Sequence, residues 1–231
     1  MKRKKNRRML LLLGILIFVV AFYLFSERGD IHRSADQSEN WELILVNEKN
    51  RVPNNYEFEL TRLSNGEQVD SRIYPDLQKM FDDARASGLR LFVRDGYRSR
   101  EEQQEILDEK REAYVSEGYS KATAKKKALK WVARPGTSEH EIGIAVDINA
   151  DAQSSSGEEL YLWLEDNSYR YGFVKRYPSD KTQITGVNNE PWHYRYVGKE
   201  AAKTMYEKGW CLEEYLENTE KVSLALIALL Y

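Results

Sequence analysis

The hydrophobic pattern starts with an apolar run from Met9 to Phe25, directly after a strongly basic segment. Its 17 residues are at the short end of what crosses a bilayer as a helix. Because Lys and Arg stay on the cytoplasmic side, we expect residues 1–25 to form a basic stub and a single transmembrane anchor, with the rest of the chain outside the cell. The run ends on bulky residues rather than a small-residue cleavage site, which favours an uncleaved anchor over a signal peptide.

Residues 26–40 are polar without an apolar period, which predicts a linker. From Trp41 onward, apolar positions recur with periods of two and of about 3.6 residues, as in mixed strands and helices. Strands are predicted at residues 43–46, 89–93, 144–148 and 193–197. Helices are predicted at residues 75–87, 100–114, 121–133, 158–170 and 199–208, with a short last one ending at 216. This order lacks a βαβ rhythm, so the predicted class is α+β.

The predicted domain covers residues 41–217, and an apolar tail follows at residues 218–231. The run from Val222 to Tyr231 is too short to span a bilayer. Its pattern leaves open whether the tail packs on the domain, touches the membrane or binds a partner.

Charge and cysteine content exclude several classes of function. The whole chain has a formal charge of −2, and its first 26 residues contain six basic side chains and no acid, so the remainder carries about −8. A domain this acidic does not suit nucleic-acid binding, which requires a basic face. Cys211 is the only cysteine, which rules out an intrachain disulfide and a cysteine zinc cluster.

Two histidines and an aspartate give the strongest chemical signal. His140 and Asp147 lie in the segment 138–147, and His193 ends the segment 190–193. Two imidazoles and a carboxylate suit zinc, and three protein ligands leave one coordination position open. Isolated histidines in a domain of this size are more often structural, so these residue types alone support zinc only weakly.

The spacing of these residues constrains the geometry. His140 and Asp147 are seven positions apart and would face opposite sides of one regular strand. We therefore expect His140 to precede the strand, or Gly143 to bend it. Asp147 then faces a cleft, opposite a buried face that contains Ile144, Val146 and Ile148.

Hydrolysis at a metal also needs a proton acceptor and a positive charge. Glu190, three residues before His193, is the preferred general base, with Glu139 and Glu141 as weaker alternatives. Arg98 is the candidate for stabilising an anionic intermediate.

Together these residues resemble the VanY-type D-alanyl-D-alanine carboxypeptidases, in the lysostaphin/D-Ala-D-Ala peptidase/hedgehog metallopeptidase group. Three family motifs occur in order. They are Gly-Tyr-Arg-Ser with a following Gln at residues 96–103, Ser-x-His-x-x-Gly-x-Ala-x-Asp at residues 138–147, and Glu-x-Trp-His at residues 190–193. The resemblance spans residues 41–216 and implies an α+β fold with zinc on one face of a small antiparallel sheet.

The resemblance implies a zinc ion held by His140, Asp147 and His193, with Glu190 as the catalytic base and Arg98 at the substrate or its oxyanion. The implied substrate-binding residues are Gln103, Ser138, Tyr97 and Trp192. The implied function is a zinc-dependent carboxypeptidase at the cell membrane, which removes the terminal D-amino acid from peptidoglycan stem peptides.

Several alternatives stay open because related enzymes share these motifs. The chain could be an L,D-carboxypeptidase acting on tetrapeptide stems, or an endopeptidase. It could also be a non-catalytic zinc-bound wall-binding module, although Glu190 and Arg98 argue against this. A regulator or scaffold that uses the anchor and the tail is a further alternative.

Overall fold

The computed structural model describes residues 40–153 and 155–230. The chain divides into two compact units, Met1–Ile44 and Leu45–Tyr231. In the first unit, the described residues contain a short 3-10 helix at Trp41–Leu43. The second unit contains all the strands and α-helices described below.

The centre of the second unit is an antiparallel sheet of four strands in the order β3-β4-β6-β5. Its strands are β3 (Leu91–Asp95), β4 (Ala145–Ala150), β5 (Phe173–Lys175) and β6 (His193–Tyr196). A separate hairpin consists of β1 (Leu60–Arg62) and β2 (Gln68–Asp70). Strand β4 is therefore an inner strand, with β3 on one side and β6 on the other. One face of β4 points into the core, and the other face points away from it.

Seven α-helices occur among the described residues. They are α1 (Tyr74–Ala86), α2 (Arg100–Ser116), α3 (Lys121–Ala128), α4 (Gly157–Asn167), α5 (Thr182–Thr185), α6 (Lys199–Lys208) and α7 (Leu212–Leu230). Helix α2 begins with a capping box, in which the Ser99 hydroxyl and the Glu102 carboxylate each accept a hydrogen bond from the other residue's backbone N–H. The Ser120 hydroxyl caps α3 by accepting a hydrogen bond from the Thr123 N–H.

The core lies under the sheet and agrees with the predicted apolar faces. Ile144, Val146 and Ile148 are fully buried, as the alternation along β4 predicts. The apolar side of α1 is buried too, through Leu77, Met80, Phe81 and Ala84. Burial of these two faces holds β4 in place, so that Asp147 lies on the opposite face.

Two glycines bring segments together more closely than other residues allow. A Cβ on Gly96 would lie 2.2 Å from the carbonyl oxygen of Gln68 in β2. Gly143 has a φ of +70°, and a Cβ there would lie 2.9 Å from the Phe58 ring. Both positions are next to the residues described in the following section.

The structure corrects several predicted elements. Residues 43–46 do not form a strand. Helix α3 ends at Ala128 rather than at residue 133, and α7 continues to Leu230 rather than ending at 216. Strands β1, β2 and β5 were not predicted, because three residues are too few to show a hydrophobic period.

No helix within the described residues is long and apolar enough to cross a membrane. The predicted anchor at residues 9–25 and most of the predicted linker lie outside the described residues. The α+β class and the small antiparallel sheet are confirmed.

Candidate metal centre

Sheet register brings two of the predicted ligands together. Asp147 of β4 pairs directly with His193 of β6, so that their side chains point to the same face. The Nδ1 atom of His193 lies 3.0 Å from Oδ1 of Asp147. These two residues are 46 positions apart in the chain, and their proximity depends on antiparallel pairing.

The third predicted ligand reaches the same point from outside the sheet. His140 lies in a 3-10 helix, Glu139–Ile142, that ends at the left-handed Gly143. The Ser138 hydroxyl caps this helix by accepting a hydrogen bond from the His140 N–H at 3.3 Å. The turn at Gly143 then leads into β4, which confirms that His140 precedes the strand.

The hydrogen bonds of the two imidazoles leave one nitrogen of each directed at Asp147. Nδ1 of His140 lies 2.7 Å from the carbonyl oxygen of Gly96, and its Nε2 lies 3.4 Å from Oδ1 of Asp147. Nε2 of His193 lies 3.4 Å from Oε2 of Glu139, and its Nδ1 faces Asp147. Metal-binding histidines commonly donate their second N–H in this way, to a carbonyl or a carboxylate.

One ligand atom from each of the three residues lies within 4.8 Å of the other two. The set combines two imidazoles with one carboxylate, which suits zinc and leaves a coordination position for a reactant. His140 and His193 are almost fully buried, and Asp147 is nearly so. The donor chemistry and its burial therefore fit a catalytic zinc site.

The electrostatics agree with a site built for a cation. Burial alone would raise the pKa of Asp147, but the two histidines hold it well below its usual range. Burial lowers the pKa of His193, but hydrogen bonds to Asp147 and Glu139 outweigh it and raise the pKa to about 9. The imidazole of His193 thus strongly favours a positive partner, either a proton or a metal ion.

Glu190 lies just before β6, and its backbone carbonyl accepts a hydrogen bond from the His193 N–H. Its side chain is buried, and among the described residues no group donates a hydrogen bond to its carboxylate. Burial, with a further contribution from Asp147, raises its pKa to about 7. A carboxylate of this kind can accept and release a proton near neutral pH.

The two alternative bases are engaged elsewhere. Glu141 accepts hydrogen bonds from the backbone N–H of Gly136 at 2.6 and 2.9 Å. Glu139 contacts Arg176 at 2.8 Å and Arg195 at 2.9 Å through one oxygen. Both carboxylates have structural partners, so the geometry favours Glu190 as the base.

Arg98 is held in place from three directions. Asp95 of β3 binds its guanidinium in a bidentate way, at 2.7 and 2.6 Å. Gln103 accepts a hydrogen bond from it at 3.2 Å and donates one to the carbonyl of Ala133 at 2.8 Å. The guanidinium also lies 3.5 Å from Oδ2 of Asp147, which places a fixed positive charge beside the metal ligands.

A cavity of about 440 Å³ contains most of the predicted site residues. The three ligands, Glu190 and Arg98 all line it, as do the substrate-binding candidates Gln103, Ser138 and Trp192. Gln103 is fully buried, and both ends of its amide already have partners. Its observed contacts therefore support Arg98, and direct contact with substrate stays a prediction.

Tyr97 differs from the other candidates. Its ring packs edge-on against Phe58 at 5.6 Å between centroids, and it is not among the described residues that line the cavity. Its backbone N–H donates to the carbonyl of Gln68 at 2.6 Å. In this structure Tyr97 joins the loop before α2 to the hairpin, and the substrate contact predicted for it stays a prediction.

Sequence reasoning missed the residues that support the ligands. One of them is Asp95, which ends β3; its spacing of three from Arg98 would signal a contact only within a helix. Arg176 and Arg195 are fully buried, and no sequence pattern signals an arginine that lies inside a core. Tyr177 packs on the His193 ring at 5.0 Å between centroids and also lines the cavity.

Comparison with known proteins agrees with this geometry. The VanY family model, described as D-alanyl-D-alanine carboxypeptidase, matches residues 66–199, more than half of the chain. A D-alanyl-D-alanine carboxypeptidase of Enterococcus faecalis is 61% identical over 195 residues, which cover 84% of this chain and 70% of the relative.

Two solved structures are similar to this chain over nearly all of their own length. One is a VanY variant from a VanB-type resistance cassette, a vancomycin-resistance D,D-pentapeptidase in complex with Zn(II). It has 61% identity and a TM-score of 0.75 over 76% of this chain and 99% of that one. The other, VanYB in complex with D-alanine-D-alanine, has 60% identity and a TM-score of 0.75 over 77% and 98%. With its metal-binding geometry, its motifs and these matches, the chain belongs to the VanY family of D-alanyl-D-alanine carboxypeptidases.

Proposed function

We propose that this chain is a zinc-dependent D-alanyl-D-alanine carboxypeptidase that removes the terminal D-alanine from peptidoglycan stem peptides. One observation carries the proposal: the ligand atoms of His140, Asp147 and His193 converge in a cavity that also contains Glu190. The zinc complex and the D-alanine-D-alanine complex of two relatives at about 60% identity support the same metal and the same substrate.

Zinc would be held by Nε2 of His140, Nδ1 of His193 and a carboxylate oxygen of Asp147. When bound, it supplies a Lewis acid for the scissile carbonyl and lowers the pKa of water at its open position to about 7. Asp147 also balances part of the ion's charge. The carbonyl of Gly96 fixes the His140 ring, so that Nε2 keeps its lone pair for the metal.

Glu190 would act as general base and then as general acid. Its carboxylate accepts the proton of the attacking water and transfers it to the departing D-alanine amine. Because no described side chain donates a hydrogen bond to this carboxylate, its oxygens are available for that proton.

Arg98 would provide the fixed positive charge. Asp95 and Gln103 hold the guanidinium in one orientation, so little reorganisation is needed when negative charge develops on the substrate. Ser138 and Trp192 line the same cavity and would contact the D-alanine groups.

The decisive assay uses the purified full-length chain with pentapeptide and tetrapeptide stems, followed by mass spectrometry. We expect loss of one D-alanine from the pentapeptide, abolition of that loss by a chelator, and its restoration by zinc. A chain that trims only the tetrapeptide would be an L,D-carboxypeptidase. Zinc-independent cleavage, or no cleavage of either stem, would refute the proposal.

We also propose that residues 1–25 anchor the protein in the cell membrane, with a linker at residues 26–40 and the catalytic domain outside the cytoplasm. The basic segment and the 17-residue apolar run support this arrangement. Protease treatment of intact spheroplasts should digest the catalytic domain. Untreated spheroplasts should release none of this protein into the medium. Recovery of the chain in the cytosolic fraction would contradict the proposal.

A further inference from the structure

A series of charged side chains, buried except for the partly exposed Glu213, connects the metal centre to the last described helix. Oε2 of Glu139 lies 3.4 Å from Nε2 of His193, and Oε1 accepts hydrogen bonds from Arg176 and Arg195. Arg176 extends the series to Glu213, in the first turn of α7, through bonds of 2.9 and 2.6 Å. The matched region of the family model ends at residue 199, before α7 begins.

Arg176 and Glu139 each divide their hydrogen bonds among specific partners. Arg176 uses Nε for Glu139 and both terminal nitrogens for Glu213, in a bidentate pair. Oε1 of Glu139 is shared by the two arginines, which leaves Oε2 for His193. The side chains of Arg176, Arg195 and Glu139 are completely buried, so water cannot replace a missing partner.

We propose that Glu213 is a positioning residue of the metal centre, which acts on His193 through Arg176 and Glu139. By occupying the terminal nitrogens of Arg176, it keeps that guanidinium from competing for Oε2 of Glu139. That oxygen then accepts the Nε2–H of His193, and Nδ1 is left unprotonated for the metal. The proposal rests on the proposed function, because it assumes that His193 binds zinc.

Charge balance supports the same assignment. In this cluster the carboxylates of Glu139 and Glu213 balance the guanidinium groups of Arg176 and Arg195. Without the charge of Glu213, the cluster would carry a net positive charge next to a site that must bind a cation. Both consequences, the freed nitrogens of Arg176 and the excess charge, weaken metal binding.

The main test is Glu213→Gln, which keeps the side-chain shape and removes the charge. Zinc affinity of the full-length protein is measured by competition with a chromophoric chelator, and the visible spectrum of the Co(II)-substituted protein is recorded. Since the effect passes through two intermediate side chains, we expect the zinc Kd to rise about three- to tenfold, less than the roughly 10- to 100-fold typical of a direct partner. The Co(II) bands should shift, because the orientation of one ligand changes.

The adjacent residue provides a matched control. Glu214 lies in the same turn of α7 and binds Lys181 and the N–H of Cys211, outside this series of charged side chains. Glu214→Gln should loosen the start of the helix, with a zinc Kd within twofold of the unchanged protein. Equal weakening of zinc binding by both variants would overturn the proposal, because it would indicate a general loosening of α7.

A second set of measurements, made on a Glu139→Gln protein, tests whether Glu213 acts through Glu139. If Glu213 acts through Glu139, Glu213→Gln should raise the zinc Kd by a clearly smaller factor in a Glu139→Gln protein than in the unchanged protein, because only the charge effect is left. Should Glu213→Gln fail to fold, Glu213→Asp, which keeps the charge and shortens the side chain, is expected to give an intermediate Kd. An unchanged Kd in a folded Glu213 variant overturns the proposal, whereas absence of zinc binding in the unmodified protein overturns the proposed function itself.

Discussion

Replacement of Gly96 by alanine tests how the loop before α2 supports the metal site. The new Cβ would lie 2.2 Å from the carbonyl oxygen of Gln68, and real Cβ contacts essentially never fall below 3.0 Å. The two backbones must therefore separate by about 0.8 Å or more, the difference between these distances. That shift lengthens the hydrogen bond from the Tyr97 N–H to the Gln68 carbonyl, now 2.6 Å. It also displaces the Gly96 carbonyl, which lies 2.7 Å from Nδ1 of His140.

The expected cost follows from these contacts. Overpacking costs about 1–3 kcal/mol, and a lost hydrogen bond costs about 1 kcal/mol. We expect Gly96→Ala to lower the free energy of unfolding by about 2–4 kcal/mol. Because His140 loses its fixed partner, the zinc Kd should also rise about tenfold or more.

Urea denaturation of the metal-free protein gives the free energy of unfolding, and chelator competition gives the zinc Kd. Gly157→Ala is the control, since the nearest atom to its Cβ is 4.0 Å away, in the Tyr161 ring. That variant should match the unchanged protein in zinc affinity and be at least as stable. If Gly96→Ala also retained both stability and zinc affinity, the inferred role of the Gly96 contact would be wrong.

Three further predictions concern the metal and the base. Glu190→Gln should retain zinc, measured by elemental analysis, and lose activity by about 10²–10⁴-fold, because it removes proton transfer and leaves the ligands intact; equal loss of zinc would show that Glu190 is a ligand. His140→Ala should lose zinc and activity together, and full zinc retention would exclude His140 from the ligand set. The pKa of His193 is about 9 without metal, so below this pH zinc must displace a proton from the imidazole. The zinc Kd should therefore fall by up to about tenfold per pH unit from pH 7 to 9. A Kd that does not change with pH would contradict this.

Zinc affinity should increase with pH, whereas the contribution of His193 to the stability of the metal-free protein should decrease with pH. A folded-state pKa of about 9 exceeds the usual 6.5, so folding of the metal-free protein favours the protonated imidazole. Its contribution to stability is complete below about pH 6.5 and is lost as the pH rises through about 9. Thermal unfolding of the metal-free and zinc-loaded protein across this range should separate the two trends.

Local sequence patterns predicted most of the longer elements of the fold, although not the full length of α7. Helix α1 and the alternation along β4 were predicted, because each depends on neighbours within a few residues. The three-residue strands were not, and the strand predicted at residues 43–46 does not exist. Pairing with a distant strand, rather than local preference, determines such short segments.

The amino-acid sequence by itself determined which side chains could bind zinc, and through the spacing of His140 and Asp147 it required a turn before β4. Only the tertiary structure decided which nitrogen of each histidine faces the metal, that Glu139 supports a ligand, and that the Glu190 carboxylate accepts no hydrogen bond from the described residues. The physical reason is that these roles depend on hydrogen-bond partners supplied by distant segments. The loop at Gly96, the strands β5 and β6 and the start of α7 meet only when the chain folds.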